Sequence, residues 1–219
     1  MINVHVCNYG IGNIHNVLRA LDHVGAAPID CTSPDQLRNV ERLVLPGVGA
    51  FSACMAAFTR SQFKEPVMEI IDKGIDVLAI CVGMQMLADV SEEFGTHQGL
   101  GVIKGRVRRL SHTAEDGSRL AIPHIKWSEL IDPGNKWIGT PLESLSPGVS
   151  AYFIHSYFFD CNDDEHQLAT FLYGGKSYTA AVRKERVIGT QFHPEKSGKP
   201  GLQMLTSFVK GQDINDDKY

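Results

Sequence analysis

The first eighty residues contain four short apolar runs, at 2–7, 28–31, 42–45 and 76–80, separated by turns and helix-spaced segments. Each run is too short for a helix and is bounded by Gly, Pro or polar residues, as buried strands are. After the first run, Gly10-Ile11-Gly12-Asn13 makes a turn. Ile14, Val17, Leu18, Leu21 and Val24 then fall on one helical face. Ser33-Pro34-Asp35 reads as a helix start, with Ser33 as N-cap and Pro34 in the first helical position. Residues 63–73 have helical spacing and stop at Gly74. Strands that alternate with helices are joined by crossovers and therefore run parallel. The pattern restricts the chain to an α/β fold, a doubly wound, mostly parallel sheet covered on both faces.

The second half changes character. Residues 105–110, 124–131, 151–159, 167–173, 180–184 and 187–191 look like strands with no helices between them, which predicts an antiparallel extension of the sheet. Residues 201–210 form a closing helix, so one domain is expected over 1–210, with a polar C-terminal tail at 211–219. A net charge of −4 and the lack of any basic run argue against nucleic acid as a partner. Five scattered cysteines, none in a Cys-x-x-Cys pair, suit neither a disulfide framework nor a zinc site and point to a reducing cytoplasm. The N-terminus has no secretory pattern, and no apolar run approaches membrane-spanning length. No metal or cofactor is expected.

The fourth run leads into Cys81-Val82-Gly83-Met84-Gln85, where the pattern turns helical. A residue on a sharp strand-to-helix joint is held at the carboxyl edge of the sheet, as in the nucleophile elbow of serine hydrolases. Small neighbours, here Ala79 and Gly83, permit the turn, and the following helix start favours a thiolate. A cysteine nucleophile needs a base, and the base needs an orienting group. Gln191-Phe192-His193-Pro194-Glu195 supplies both at the end of a strand, with His193 as base and Glu195 as the carboxylate that orients it. Gly47-Val48-Gly49, also after a strand, can turn backbone N–H groups toward a developing oxyanion. Tyr9-Gly10-Ile11-Gly12-Asn13 imitates a dinucleotide fingerprint, but His15 occupies the third glycine position, and no Gly-Lys-Ser/Thr follows Gly49 to make a phosphate loop.

In combination, these motifs resemble the class I (triad) glutamine amidotransferases. Asn8-Tyr9-Gly10, Pro46-Gly47-Val48-Gly49-Ala50-Phe51, Pro123-His124-Ile125-Lys126-Trp127, His155-Ser156-Tyr157 and His193-Pro194-Glu195-Lys196-Ser197 resemble, within that family, the glutaminase subunits of imidazole glycerol phosphate synthase. The resemblance implies a Cys81–His193–Glu195 triad that hydrolyses glutamine to glutamate and ammonia. It further implies an oxyanion site at Gly47, Val48 and Gly49, and glutamine contacts from Gln85, His155, Ser156 and Tyr157. The expected partner is a barrel-type synthase subunit in a heterodimer, which receives the ammonia and makes imidazole glycerol phosphate and an aminoimidazole carboxamide ribotide. Asn13, Pro123, His124, Lys126, Trp127 and Tyr152 are the candidate docking residues.

Several positions depart from the family pattern. Ala79 stands where glycine is usual, Asn8 replaces aspartate, and Lys126 and Ser128 replace glycine and asparagine. The departures leave open a paralogue that feeds ammonia to another synthase, such as one that aminates a bacterial surface sugar. A cysteine peptidase or chaperone-like protein on a similar sheet is a further alternative. Those proteins usually place histidine directly after the nucleophile, whereas Val82 stands there in this chain.

Overall fold

A computed structural model that describes residues 1–211 sets the four apolar runs side by side as strands. From the N-terminus, the first half comprises β1 (Asn3–Cys7), α1 (Ile14–His23), β2 (Ala27–Cys31), β3 (Arg42–Gly47), α2 (Phe51–Arg60), α3 (Lys64–Asp72), β4 (Asp76–Cys81) and α4 (Val82–Met86). The second half comprises β5 (Val90–Ser91), β6 (His97–Gln98), β7 (Gly105–Arg109), β8 (His124–Glu129), β9 (Ser150–His155), β10 (Tyr157–Cys161), β11 (Gln167–Tyr173), β12 (Lys176–Lys184), β13 (Val187–Thr190) and α5 (Gly198–Lys210).

The main sheet has seven strands in the order β11-β12-β13-β4-β3-β1-β2. The five from β13 to β2 run parallel, and β12 and β11 continue the sheet antiparallel. Leu43 to Leu45 and Val77 to Ala79 are fully buried, which explains why the central strands read as continuous apolar runs rather than alternating ones. α1 lays Ile14, Val17, Ala20 and Leu21 on the core. The register sets Gly47 opposite Cys81 and Thr190 opposite Ile80, so β3, β4 and β13 end together. Ligands of open α/β sheets bind at such carboxyl edges.

The structure corrects several expectations. The antiparallel extension is limited to β12 and β11; β10-β7-β5-β6 form a separate sheet, and β8 and β9 pair as a two-stranded ribbon. The expected strand at 151–159 breaks at Ser156, where the chain passes from the ribbon to the small sheet. A hydrogen bond between His155 Nδ1 and the Tyr157 carbonyl (2.8 Å) spans the break. The helix expected at Ser33 is a single 3₁₀ turn, Pro34–Gln36, whose Gln36 side chain accepts from the Ser33 N–H and ends the turn locally. Helix α2 was not anticipated. Its first N–H group finds an acceptor 42 residues away, where Glu93 Oε2 accepts from the Phe51 N–H (2.6 Å). The expected tail is described only at Gly211; positions 212–219 lie outside the described residues.

Candidate active site

Cys81 ends β4 with φ 56° and ψ −111°, a conformation that non-glycine residues rarely adopt. The surroundings enforce it. A Cβ on Gly83 would lie 2.0 Å from the Leu45 carbonyl oxygen, and one on Gly47 would lie 2.6 Å from the Gly83 nitrogen. Both positions must therefore be glycine for the end of β3 to pack on the start of α4, and that packing aims Cys81 off the sheet edge. Ala79 lies inside β4 and needs no glycine freedom.

His193 caps the 3₁₀ turn Pro194–Lys196 that follows β13, and Glu195 lies within that turn. His193 Nδ1 donates to Glu195 Oε1 at 2.8 Å, which leaves Nε2 for the sulfur. The backbone at His193 is fixed by the ribbon. Its N–H donates to the Tyr152 carbonyl (3.0 Å), and Ser197 Oγ both donates to the His193 carbonyl (2.7 Å) and accepts from the Tyr152 N–H (3.0 Å). Burial alone would push the imidazole down. The hydrogen bonds and charges of Cys81 and Glu195 outweigh burial and hold it up, to about 10. A histidine oriented by a carboxylate and set beside a cysteine is the arrangement that activates a cysteine nucleophile.

Val48, Gly49, Cys81, Gln85, His155, Ser156, Tyr157 and His193 all line one cavity of about 530 Å³. The Val48 carbonyl is turned to the Cys54 thiol, whose Sγ donates to it at 3.2 Å. Among the described residues, neither the Val48 nor the Gly49 N–H has a backbone partner, so both remain available to a developing oxyanion. Gly47 lies beneath this turn against Gly83 and serves it sterically. The Gln85 side-chain nitrogen donates both to the Tyr157 carbonyl and to Gln191 Oε1 (3.0 Å each), so only its oxygen is free to face a ligand.

Three further residues at the site were not among those expected from the sequence. Glu93 lines the cavity and is buried, far from any motif. Gln191 is fully buried against Cys81. Lys196, on the cavity wall, is the cation nearest the triad in sequence. Gln191, two residues before His193, and Lys196, directly after Glu195, had a signal in that motif, and Glu93 had none. Among the described residues no cluster of three or more His, Cys, Asp or Glu could hold a metal, and no helix is long and apolar enough to cross a membrane.

The candidate docking residues divide. Asn13 and Pro123 line the cavity. In the ribbon, Ile125 pairs with Ile154 and Trp127 with Tyr152, which puts these four on one face, where Ile125, Trp127 and Ile154 are exposed. Lys126 lies on the opposite face, its ammonium 5.9 Å from the Tyr173 ring centroid. It therefore does not share a surface with Trp127, because alternation along β8 separates them. His124 is buried and turned inward to His155, so its side chain is not a docking contact.

A family model described as "Glutamine amidotransferase class-I" matches residues 5–211. A protein of Legionella pneumophila (strain Lens), "Imidazole glycerol phosphate synthase subunit HisH 1", is 39% identical over 212 residues, covering 96% of this chain and 100% of that protein. "Imidazole glycerol phosphate synthase subunit HisH" of Geobacter sulfurreducens is 38% identical over 209 residues, covering 95% and 98%. Among solved structures, "Structure of PurLQS from Thermotoga maritima" matches with a TM-score of 0.72 at 20% identity, covering 95% of this chain and 98% of that one.

Proposed function

The chain belongs to the class I glutamine amidotransferase family, and we propose from that premise that it is the glutaminase subunit of an imidazole glycerol phosphate synthase, one amidotransferase domain over 1–210. The observation that carries the chemistry is the meeting of Cys81, His193 and Glu195 at one sheet edge, beside a cavity large enough for an amino acid.

In this reading the Cys81 thiolate attacks the side-chain carbonyl carbon of glutamine. The oxygen takes the negative charge and is held by the Val48 and Gly49 N–H groups. The C–N bond breaks as His193 Nε2 gives its proton to the departing nitrogen, releasing ammonia and leaving a glutamyl thioester. His193 then takes a proton from water, whose oxygen attacks the thioester. Glutamate leaves and the thiolate returns. Glu195 keeps the ring in the tautomer that presents Nε2 and stabilises the imidazolium. The Gln85 side-chain oxygen and the Glu93 carboxylate are acceptors suited to the substrate's ammonium, with His155, Ser156 and Tyr157 completing the wall.

Ammonia passes to a partner synthase of barrel type, which carries the lyase chemistry. The exposed apolar face of Ile125, Trp127 and Ile154, of which Ile154 lines the cavity together with Asn13 and Pro123, suits such a partner. Five free thiols fit a reducing cytoplasmic setting. The test is an electrophilic glutamine analogue together with Cys81→Ala. The analogue labels Cys81, glutamine protects it, and the variant complex loses glutamine-dependent synthesis while retaining ammonia-dependent synthesis. Loss of both activities together would assign Cys81 a structural role.

A further inference from the structure

Gln191 follows β13 and is fully buried between Gln85 and Cys81. Its side-chain nitrogen lies 3.7 Å from Cys81 Sγ, within reach for the larger sulfur atom. The orientation of this amide is fixed by a chain of contacts that begins at an atom with no choice of role. The Tyr157 carbonyl can only accept. Two groups converge on it, His155 Nδ1 at 2.8 Å and Gln85 Nε2 at 3.0 Å, and both must donate.

Each side of that carbonyl then follows. On one side, neutral His155 has its proton on Nδ1, so Nε2 accepts from His124 Nδ1–H at 3.3 Å, and His124 Nε2 accepts from Ser128 Oγ–H at 3.0 Å. Burial pushes both rings far down, to about 3 for His155 and about 4 for His124, which agrees with neutral rings. On the other side, the Gln85 nitrogen lies 3.0 Å from the Gln191 side-chain oxygen, which must accept. The Gln191 nitrogen therefore faces the sulfur. A flipped Gln191 would set two amide nitrogens against each other and turn its carbonyl on the sulfur lone pairs. His124, His155, Gln85, Gln191 and Cys81 are each less than a tenth exposed, so water is not a ready substitute for any of these partners.

We propose that Gln191 is a positioning residue for the nucleophile: its oriented amide donates to Cys81 Sγ, stabilises the thiolate and fixes the direction of attack. This rests on the reading of Cys81 as the nucleophile. A hydrogen bond to the charged form of an acid favours that form, so removal of the donor moves the thiol's ionisation upward.

The experiment is the pH profile of Cys81 alkylation by iodoacetamide, followed on the Cys81 peptide by mass spectrometry in the full chain. Wild type, Gln191→Leu and Gln191→Glu are compared. Loss of one charge-assisted hydrogen bond raises the midpoint by about one pH unit in Gln191→Leu, roughly tenfold slower alkylation below the midpoint. Gln191→Glu preserves the shape and the acceptor for Gln85 but sets a carboxylate against the sulfur, and it raises the midpoint further. The other groups around the sulfur, His193, Glu195, Lys196, Glu93, His155, Tyr157, Tyr9 and Cys54, are common to all three proteins. Where Gln191→Leu does not fold, Gln191→Met, which keeps the unbranched length and also lacks the donor, takes its place. A wild-type midpoint in folded Gln191→Leu or Gln191→Met overturns the inference and leaves the nucleophile reading standing. A wild-type Cys81 that never reacts, while half-buried Cys161 does, overturns both.

Discussion

Two buried neutral histidines in contact make the fold sensitive to mild acid. His124 and His155 have ring nitrogens 3.3 Å apart, and each is more than nine-tenths buried. Burial holds His124 at about 4 and His155 at about 3, against 6.5 in an unfolded chain. The unfolded state therefore binds more protons below pH 6.5, and stability falls with it. The contribution of these rings is complete above their unfolded value and is lost as pH drops toward their folded values. At pH 5 each neutral ring forgoes a proton worth about 2 kcal/mol, about 4 kcal/mol for the pair, a large part of a typical folding free energy. His193 has the opposite sign. Its proton is held to about 10, so its contribution is complete below 6.5 and fades as pH rises toward 10.

The difference between wild type and His124→Asn isolates one ring. Asparagine retains a donor for His155 but does not titrate. It also loses the ring packed on Phe171 and Tyr173, at centroid distances of 5.0 and 4.5 Å, a cost that does not change with pH. Urea unfolding at pH 7.5 and at pH 5 gives the two free energies. Wild type loses about 2 kcal/mol more than His124→Asn over that interval. An equal loss in both proteins would refute the buried neutral pair.

Other outcomes follow from single contacts. Gly83→Ala drives a Cβ to 2.0 Å from the Leu45 carbonyl oxygen and costs about 3 kcal/mol or more by urea unfolding, with loss of glutamine hydrolysis. Gly49→Ala, at φ +85° with open space around it, costs only about 1–2 kcal/mol from backbone strain. Under the proposed function, Glu93→Gln removes the negative charge offered to the substrate's ammonium and raises KM for glutamine roughly ten- to a hundredfold, with a smaller change in kcat. Phe94 is 83% exposed at φ 52°, so Phe94→Gly relieves strain with little lost packing and raises stability by up to about 1 kcal/mol in thermal melts.

Much of the site was legible because its chemistry lies in short motifs at strand ends. Cys81, His193 and Glu195 belong to separate segments, yet the parallel register that apolar runs impose on β3, β4 and β13 brings those segments to one edge. Glu93 was not legible, because its role depends on a loop folding back onto the start of α2, a contact without local periodicity. α2 itself was missed for the same reason, since its cap comes from that distant carboxylate. The break at Ser156 was hidden because 151–159 is uniformly strand-like and only the change of sheet interrupts it. Lys126 was correctly placed on a strand, but alternation along the ribbon sets it opposite Trp127, and the pairing register was needed to show this.

In the proposed function this chain is a glutaminase whose ammonia serves a histidine-pathway synthase. The most direct measurement is glutamine hydrolysis by the purified chain, alone and with the cyclase subunit of the same organism in the presence of its imidazole product. Glutamate release is expected to rise strongly on addition of the partner and its ligand, and to vanish in Cys81→Ala. Unchanged hydrolysis, with Cys81 still labelled by the glutamine analogue, would contradict the synthase assignment and identify an intact glutaminase with a different acceptor.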